Sequence, residues 1–241
     1  MLPGLYKCFN HWCNQTVWIY SDPHFGDEEL QKGISNRPTD EEQIKMINSC
    51  VGKNDTLICL GDVGDIECVK KLRGYKILLC GNHDAGRTKY ERVIHKKIFA
   101  EDIYTKEGAL EEMKKLYPNC KYSIHKGYSF HSPFTFWEVS ADNMLFDEVY
   151  EGPLMIGEKL LLSHEPVDIP WAFNIHGHDH HGVYRDGHLN VCSDVIGYKP
   201  INLTQKLKSG LMSAITTIHR TTIDSAIERK AKLGGKKIGK Y

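Results

Sequence analysis

The sequence has little of what marks a membrane-spanning, secreted or disulfide-stapled chain. No uninterrupted apolar run is longer than four residues, so no segment is long enough for a transmembrane helix. Residues 1–20 are broken by polar side chains and lack the apolar region of a secretory signal. Eight cysteines among 241 residues are too few for a disulfide scaffold. These absences predict a cytoplasmic protein that does not contact a membrane.

An excess of charge of one sign is also missing. The 31 Lys and Arg residues balance the 31 Asp and Glu residues, which argues against nucleic-acid binding driven by bulk positive charge. Hydrophobic residues make up 41% and charged residues 26%, as in ordinary globular domains. The chain is unusual in its 13 histidines, most of which lie in its second half.

The first third of the sequence alternates between strand and helix patterns. Short β-branched and apolar runs at residues 16–21, 56–60 and 75–80 predict buried strands. Helices are predicted between them, at residues 39–51 and 66–73, and Thr39 with Glu42 forms the sequence pattern of a capping box. The alternation predicts an α/β fold with a largely parallel sheet.

The rest of the chain is less regular. Residues 86–143 show a weak pattern, with a helix predicted at 109–117 and an aromatic stretch at 128–139 broken by Pro133. Short strands, antiparallel or mixed, are predicted at 146–150, 154–156, 159–163, 173–176 and 189–192. Residues 203–232 carry an apolar stripe at helical spacing, which either packs on the sheets or pairs two copies of the chain.

Side chains that can bind a metal follow each of the principal predicted strands. They are Asp22 and His24, then Asp62, then Asn82, His83 and Asp84, then His164, and finally His178 and His180. Sites in open α/β sheets form beyond the carboxyl ends of strands, and alternate residues of an extended segment point the same way. Any one of these motifs is typical of an ordinary turn, but five of them in this order indicate a metal site.

This series of motifs resembles that of the calcineurin-like metallophosphoesterase superfamily, and the resemblance covers residues 16–203. It implies an α/β fold in which two mixed β-sheets pack face to face with helices outside, a four-layer αββα sandwich. Residues 1–241 would form one such domain, with an inserted aromatic segment at about 86–143 and a C-terminal helix at about 203–232.

The resemblance also implies a centre of two divalent metal ions. One ion would be held by Asp22, His24 and His180, the other by Asn82, His164 and His178, and Asp62 would bridge the two. Oxygen and nitrogen ligands without a thiolate suit Mn, Fe, Zn, Ni or Co. Two such ions, two carboxylates and a bridging hydroxide leave a net charge of about +1, which favours a phosphate group.

In this family the bridging hydroxide attacks phosphorus, and His83 would be the general acid that protonates the leaving oxygen. Asp65 resembles the carboxylate that holds this acid in the protein-phosphatase branch, and Asp84 is the competing candidate. That branch has an arginine where this chain has Ile66, which argues against protein-phosphatase specificity. Arg37 and Arg87 either contact substrate phosphate or are plain surface arginines.

The resemblance therefore implies a dinuclear metal-dependent hydrolase of a nucleotide or another small phosphate mono- or diester. The alternatives are a nuclease of the same superfamily and a scaffold that keeps the fold without catalysis. Aromatic residues of the insert either roof the metal site or form a small core of their own; they are Tyr122, Tyr128, Phe130, Phe134, Phe136 and Trp137. The basic tail from residue 229 onward either contacts nucleic acid or a partner, or is simply solvated. The protein is expected to be a monomer or a homodimer through the C-terminal helix.

Overall fold

The structure is a computed structural model that describes residues 16–129, 134–157, 159–215 and 218–232, and only the backbone of 218–221. Its strands are β1 (Val17–Tyr20), β2 (Thr56–Cys59), β3 (Tyr75–Leu79), β4 (Ile94–Ala100), β5 (Lys121–Tyr128), β6 (Thr135–Asp142), β7 (Glu148–Tyr150), β8 (Leu154–Ile156), β9 (Leu160–Leu162), β10 (Phe173–His176), β11 (His188–Asn190) and β12 (Ile201–Asn202). Its helices are α1 (Glu28–Gly33), α2 (Asp40–Cys50), α3 (Ile66–Val69), α4 (Arg87–Tyr90), α5 (Lys106–Leu116), α6 (Ser193–Ile196), α7 (Leu203–Lys208) and α8 (Ile218–Lys232).

The first sheet has five strands in the order β12-β1-β2-β3-β7. Strands β1, β2, β3 and β7 run parallel, and only β12 pairs antiparallel, on the outer side of β1. This confirms the predicted α/β class and the largely parallel sheet. Because the strands are parallel, the loops that follow β1, β2 and β3 leave the sheet at the same edge.

The second sheet has four strands in the order β11-β10-β9-β8 and is also mixed, since β8 alone runs antiparallel. One apolar cluster joins the two sheets. It contains alternate residues along β1, β2 and β3, with Leu60 just beyond the end of β2, together with residues of β8, β9 and β10: Val17, Ile19, Ile58, Leu60, Ile77, Leu79, Leu154, Ile156, Leu160, Leu162, Phe173 and Ile175. The two sheets therefore pack face to face through this core.

Helix α2 covers the opposite face of the first sheet. Thr39 begins it with the predicted capping box, in which Thr39 and Glu42 exchange hydrogen bonds. Ile44 and Ile47 pack into a second core cluster with Leu57 of β2 and Leu78 of β3. The apolar residues of β2 and β3 thus alternate between two cores, which explains why these strands are mostly apolar.

Residues 86–143 form a small unit that the sequence predicted only in part. Strands β4, β6 and β5 make an antiparallel sheet, and α5 packs on one of its faces through Ala109 and Met113. Tyr122 and Trp137 belong to this unit's own core, which supports the second of the two readings of the aromatic insert. Phe130 lies outside the described residues.

The single C-terminal helix predicted at 203–232 is wrong. Helix α7 ends at Lys208, residues 210–214 form turns, and α8 begins at Ile218. Gly210 adopts a φ of +87°, a conformation that ends a helix and that other residues rarely accept. Leu207, Leu211 and Ile215 pack against the core between the sheets, so this half of the stripe covers the sheets.

Two smaller boundaries also differ from the predictions. Helix α3 stops at Val69, four residues before the predicted end, because Lys70 and Lys71 continue only as a turn. Strand β7 begins at Glu148, two residues after the predicted start. Basic residues of the tail beyond 232 lie outside the described part of the chain. None of the helices in that described part combines the length and the apolar character needed to cross a bilayer.

Candidate metal centre

The predicted metal ligands come from five loops at one edge of the two-sheet core. Asp22 and His24 follow β1, Asp62 follows β2, and Asn82 follows β3. The second sheet contributes His164 after β9, and His178 and His180 after β10. The structure brings all seven together, although they are spread over more than half of the chain.

Several of these residues adopt a left-handed backbone conformation. The φ angles are +56° at Asp22, +44° at His24, +51° at Asp62 and +63° at His178. Non-glycine residues seldom occupy this region, and such strained positions cluster at functional sites. All four residues lie in the loops just after β1, β2 and β10.

Glycines beside the ligands allow the loops to approach closely. A Cβ atom on Gly177 would lie 2.2 Å from Asp22 Oδ2, and one on Gly81 would lie 2.3 Å from Asp62 Oδ1. A Cβ on Gly61 would lie 2.5 Å from the backbone nitrogen of Gly81. Any larger residue at these three positions would therefore push the ligand loops apart.

The first group of ligand atoms is made by Asp22, His24 and His180, whose candidate atoms lie within 4.8 Å of one another. Asp22 Oδ1 is 4.0 Å from His24 Nε2 and 4.0 Å from His180 Nε2. Ligands that each lie about 2.1 Å from one ion are separated by roughly 3–4 Å. The spacing of this group is therefore that of atoms arranged around a single cation.

The second group contains Asp62, His164 and His178, and Asn82 adjoins it. His164 Nε2 is 2.8 Å from Asn82 Oδ1, 3.2 Å from His178 Nδ1 and 3.3 Å from Asp62 Oδ2. His164 Nδ1 donates to the carbonyl oxygen of Leu60 at 2.8 Å when it carries the proton. That tautomer leaves Nε2 as a lone-pair donor facing the group.

Asp62 lies between the two groups. Its Oδ2 atom is 3.6 Å from His24 Nε2 and 3.3 Å from His164 Nε2, while its Oδ1 accepts from the backbone N–H of His83 at 2.9 Å. One oxygen thus faces both groups and the other is held by the loop after β3. This is the arrangement required of a carboxylate shared by two cations.

Two buried polar atoms in this site have no hydrogen-bond partner among the described residues, namely Asp22 Oδ1 and His24 Nε2. A buried carboxylate oxygen without a partner costs free energy. Both atoms face the centre of the first group, and a divalent cation there would satisfy both. The residues present therefore fit a metal ion, because these two buried atoms have no hydrogen-bond partner among the described residues.

Burial and the nearby carboxylates shift the titration of the histidines in opposite directions. Burial lowers the pKa of His24 below its ordinary value despite Asp62 and Asp22 nearby. Burial also acts to lower the pKa of His164, but the hydrogen bond to Asp62 and the charge of Asp22 outweigh it and raise that pKa. Metal binding requires neutral imidazoles, so protons compete with metal at His164.

Two carboxylates outside the predicted ligand set hold the site together. Asp84 accepts hydrogen bonds from the backbone N–H groups of Asp62, Val63 and Gly81 at 2.7–3.0 Å, and so it ties the loop after β2 to the loop after β3. Asp194, at the start of α6, accepts from His180 Nδ1 at 2.6 Å. No pattern in the sequence marks Asp194 as part of the site, since it belongs to none of the strand-end motifs.

Cys192 lies beside Asp194 and His180, within 4.8 Å of both. Burial raises the pKa of its thiol well above the ordinary value, so the sulfur stays protonated near neutral pH. The residue is fully buried beneath the site.

The predicted pairing of Asp65 with His83 is wrong for the described residues. Asp65 is the N-cap of α3, and its Oδ1 accepts from the backbone N–H of Glu67 at 2.9 Å; none of the described hydrogen bonds joins it to His83. The exposed ring of His83 instead lies edge-on to that of His24, with 5.6 Å between the centroids. Both carboxylate oxygens of Asp84 accept hydrogen bonds from backbone N–H groups, so Asp84 does not hold His83 either.

The two candidate substrate arginines also have other partners. Arg37 is buried and pairs with Asp194, with its NH1 atom 2.6 and 2.5 Å from the two carboxylate oxygens, so it cannot reach a substrate. Arg87 is exposed and pairs with Glu91 at 2.9 Å on α4. The prediction that Arg37 contacts substrate phosphate is therefore wrong. No described contact supports the same prediction for Arg87.

A pocket of about 270 Å³ opens beside the second ligand group. Its lining includes Asn82 and His164 together with Glu151, Pro153 and Val167. The site is thus open to a small molecule from the side of Asn82 and His164.

Comparison with known proteins adds little to this geometry. No protein-family model matches the chain, and no curated protein matches it. The chain is similar to a solved structure from Aquifex aeolicus, the protein of unknown function AQ665, at 20% sequence identity. That match covers 81% of this chain and 99% of the other, with a TM-score of 0.47.

Proposed function

We propose that this chain is a metal-dependent phosphoesterase with the dinuclear centre and four-layer αββα fold of the calcineurin-like metallophosphoesterases. The observation that carries the proposal is Asp62 Oδ2, which lies 3.6 and 3.3 Å from imidazole nitrogens of two separate ligand groups. The unmet atoms Asp22 Oδ1 and His24 Nε2 support it. The substrate would be a small phosphate mono- or diester such as a nucleotide, and the compartment the cytoplasm.

Each group of residues would hold one ion, Mn, Fe, Zn, Ni or Co, and Asp62 would be shared. Two divalent ions there would lower the pKa of a bound water and stabilise the charge on phosphoryl oxygens. Asp22 and Asp62 are the only carboxylates in the predicted ligand set. The neutral ligands Asn82, His164, His178, His24 and His180 leave the positive charge uncancelled, which favours binding of a phosphate group.

His83 would protonate the leaving oxygen. Its ring is exposed and lies beside His24, and its backbone N–H is held by Asp62 Oδ1. The residue is therefore placed by the same carboxylate that the two groups share. A histidine in this position can donate a proton as the ester bond breaks, which contributes about 10²–10⁴-fold to the rate in enzymes of known mechanism.

The test is hydrolysis of an aryl phosphodiester and the matching monoester with added Mn²⁺. We expect Asp62→Asn to abolish turnover, because it removes the shared charge. We expect His83→Ala to lower turnover by about 10²–10⁴-fold with both ions retained. Asp65→Asn is the matched control and should keep wild-type turnover, since Asp65 only caps α3.

Other results of these experiments would favour a different function. A purified chain that binds no metal would favour the scaffold reading. Strong metal-dependent degradation of DNA or RNA at physiological salt would favour a nuclease. Equal loss of turnover in Asp65→Asn and His83→Ala would instead favour the pairing of Asp65 with His83, whereas wild-type turnover in His83→Ala would contradict the assignment of His83 as the general acid.

A further inference from the structure

A buried chain of charged groups runs behind the first ligand group. The side chain of Arg37 is 1% exposed and that of Asp194 is 6% exposed. Arg37 contacts both oxygens of Asp194, and Asp194 Oδ2 accepts from His180 Nδ1 at 2.6 Å. Tyr198 donates to Asp194 Oδ1 at 2.6 Å. Every polar atom of the Asp194 carboxylate is therefore used within this network.

We propose that Asp194, oriented by Arg37, is a positioning residue that keeps the proton of His180 on Nδ1 and so presents the Nε2 lone pair to the first metal ion. The inference rests on the proposed function. His180 Nε2 is 4.0 Å from Asp22 Oδ1, on the side of the ring away from Asp194. A carboxylate that accepts from one nitrogen of a histidine fixes which nitrogen is free to bind metal.

Arg37 connects this pair to the other half of the ligand group. Its NH2 atom donates to the carbonyl oxygen of Pro23 at 2.8 Å, and Pro23 stands between Asp22 and His24. One guanidinium therefore touches the loop after β1 and, through Asp194, the loop after β10. This link sets the separation of His24 and His180, whose ring centroids are 5.4 Å apart.

Replacement of Asp194 by asparagine tests the positioning role, because the two side chains have nearly the same shape. Arg37 presents only donors, so the single amide oxygen of an asparagine would turn toward it. The amide NH2 group would then face His180 Nδ1, which would have to accept a hydrogen bond. The proton of the neutral ring would move to Nε2, and the lone pair facing Asp22 would be lost.

The first measurement is nitrogen NMR of the imidazoles in the metal-free protein, at an alkaline pH where the rings are neutral. We expect the His180 ring to carry its proton on Nδ1 in the wild type and on Nε2 in Asp194→Asn. The second measurement is titration of metal-free protein with Mn²⁺. We expect two sites in the wild type and, in the variant, about a 10- to 100-fold loss of affinity at one site only.

Two control variants test whether the effect is specific to the contact between Asp194 and His180. Tyr198→Phe removes a hydrogen bond to the same carboxylate but leaves its contact with His180, so it should keep the Nδ1 proton and both affinities. Asp142→Asn breaks another arginine pair, with Arg92 of the insert, and should also keep both ions. If Asp194→Asn unfolds at the temperature of the titration, Arg37→Lys, which keeps a positive charge, should show the same selective loss in weaker form.

The results separate this inference from the proposed function. A wild-type chain that binds no metal overturns both. A wild type with two ions, and an Asp194→Asn variant that holds both equally tightly with its proton on Nδ1, overturns the positioning role alone. Equal weakening of both sites also contradicts it, because the proposed effect acts through His180 and hence on one ion.

Discussion

Four residues at the candidate centre adopt backbone conformations that cost free energy. Asp22, His24, Asp62 and His178 each have a positive φ, and such a conformation costs about 1–3 kcal/mol for a non-glycine residue. The hydrogen bonds around them offset this cost. The backbone N–H of His178, for example, donates to Asp22 Oδ2 at 2.9 Å, so two strained residues hold each other in place.

Lys76 provides a residue-scale prediction of pH dependence. Its ammonium group is buried and donates to the carbonyl oxygens of Val69 and Met144. Burial lowers its pKa from 10.5 to about 8. Above pH 8 the folded chain releases this proton while the unfolded chain keeps it, so stability rises with pH until about pH 10.5.

We therefore compare the wild type with Lys76→Met by chemical denaturation at pH 7, 9 and 10.5. Relative to the variant, the free energy of unfolding of the wild type should rise by about 3 kcal/mol across this range. Below pH 8 the difference should be constant. A difference that is independent of pH, or that falls as pH rises, would contradict the prediction.

The ligands could be predicted from the sequence residue by residue, but their supports could not. Asp22, Asp62 and Asn82 each follow an apolar run after one intervening residue, and the topology of parallel strands then brings them to one edge. Asp194 and Arg37 are 157 residues apart, and no local pattern marks two such residues as partners. The expectation that Asp65 holds His83 failed for a local reason, since a carboxylate just before a helix is also an N-cap.

At the scale of elements, the strands buried on both faces were predicted well and the half-exposed ones were not. The runs that became β2, β8 and β9 read TLIC, LMI and LLL, and nearly all of their residues are apolar. Strand β4 reads IHKKIFA, and its Ile94 and Ile98 are 50% and 62% exposed. Because its apolar residues do not mark a buried face, the alternation on which the prediction relies is absent there.

The junction of β1 and β10 gives an element-scale prediction. A Cβ atom on Gly177 would lie 2.1 Å from Ser21 Oγ and 2.2 Å from Asp22 Oδ2, so Gly177→Ala must separate the loops that end these strands. We expect a loss of about 1–3 kcal/mol in stability and loss of the metal held by the first group. Calorimetric unfolding and metal content after dialysis measure the two effects.

Gly33→Ala is the matched control for this prediction. Gly33 is the last residue of α1, and an added Cβ would meet nothing within 4 Å. Its stability should stay within about 0.5 kcal/mol of the wild type. If the two glycine variants behave alike, the close approach of β1 and β10 does not govern the metal site.

At the scale of the whole molecule, the three-stranded unit of β4, β5, β6 and α5 is attached to the two-sheet core by adjacent ends. The backbone N–H of Asn143 donates to the carbonyl oxygen of Val93 at 3.1 Å, and Val93 N–H donates to Asn143 Oδ1 at 3.0 Å. The unit has its own apolar cluster around Met113 and Val139. It therefore enters and leaves the core at nearly the same point.

This attachment predicts that residues 94–142 can be replaced by a short Gly/Ser linker. The shortened chain should fold, bind two ions and hydrolyse the aryl ester as fast as the full chain, because no ligand lies in the segment. Metal titration and turnover, measured beside the full chain, test this. Loss of turnover with both ions retained would instead favour an aromatic roof over the site.

The pairing of β1 with β12 has a consequence for synthesis on the ribosome. Strand β1 bonds to β12, and Val17 N–H donates to Thr204 Oγ1, 187 residues later. Asp22 and His178 are 156 residues apart, which corresponds to roughly 10–30 s of translation at 5–20 residues per second. The nascent chain must therefore carry Asp22, His24 and Asp62 before His164, His178 and His180 have been made, and both ligand groups can be completed only after residue 180 has emerged.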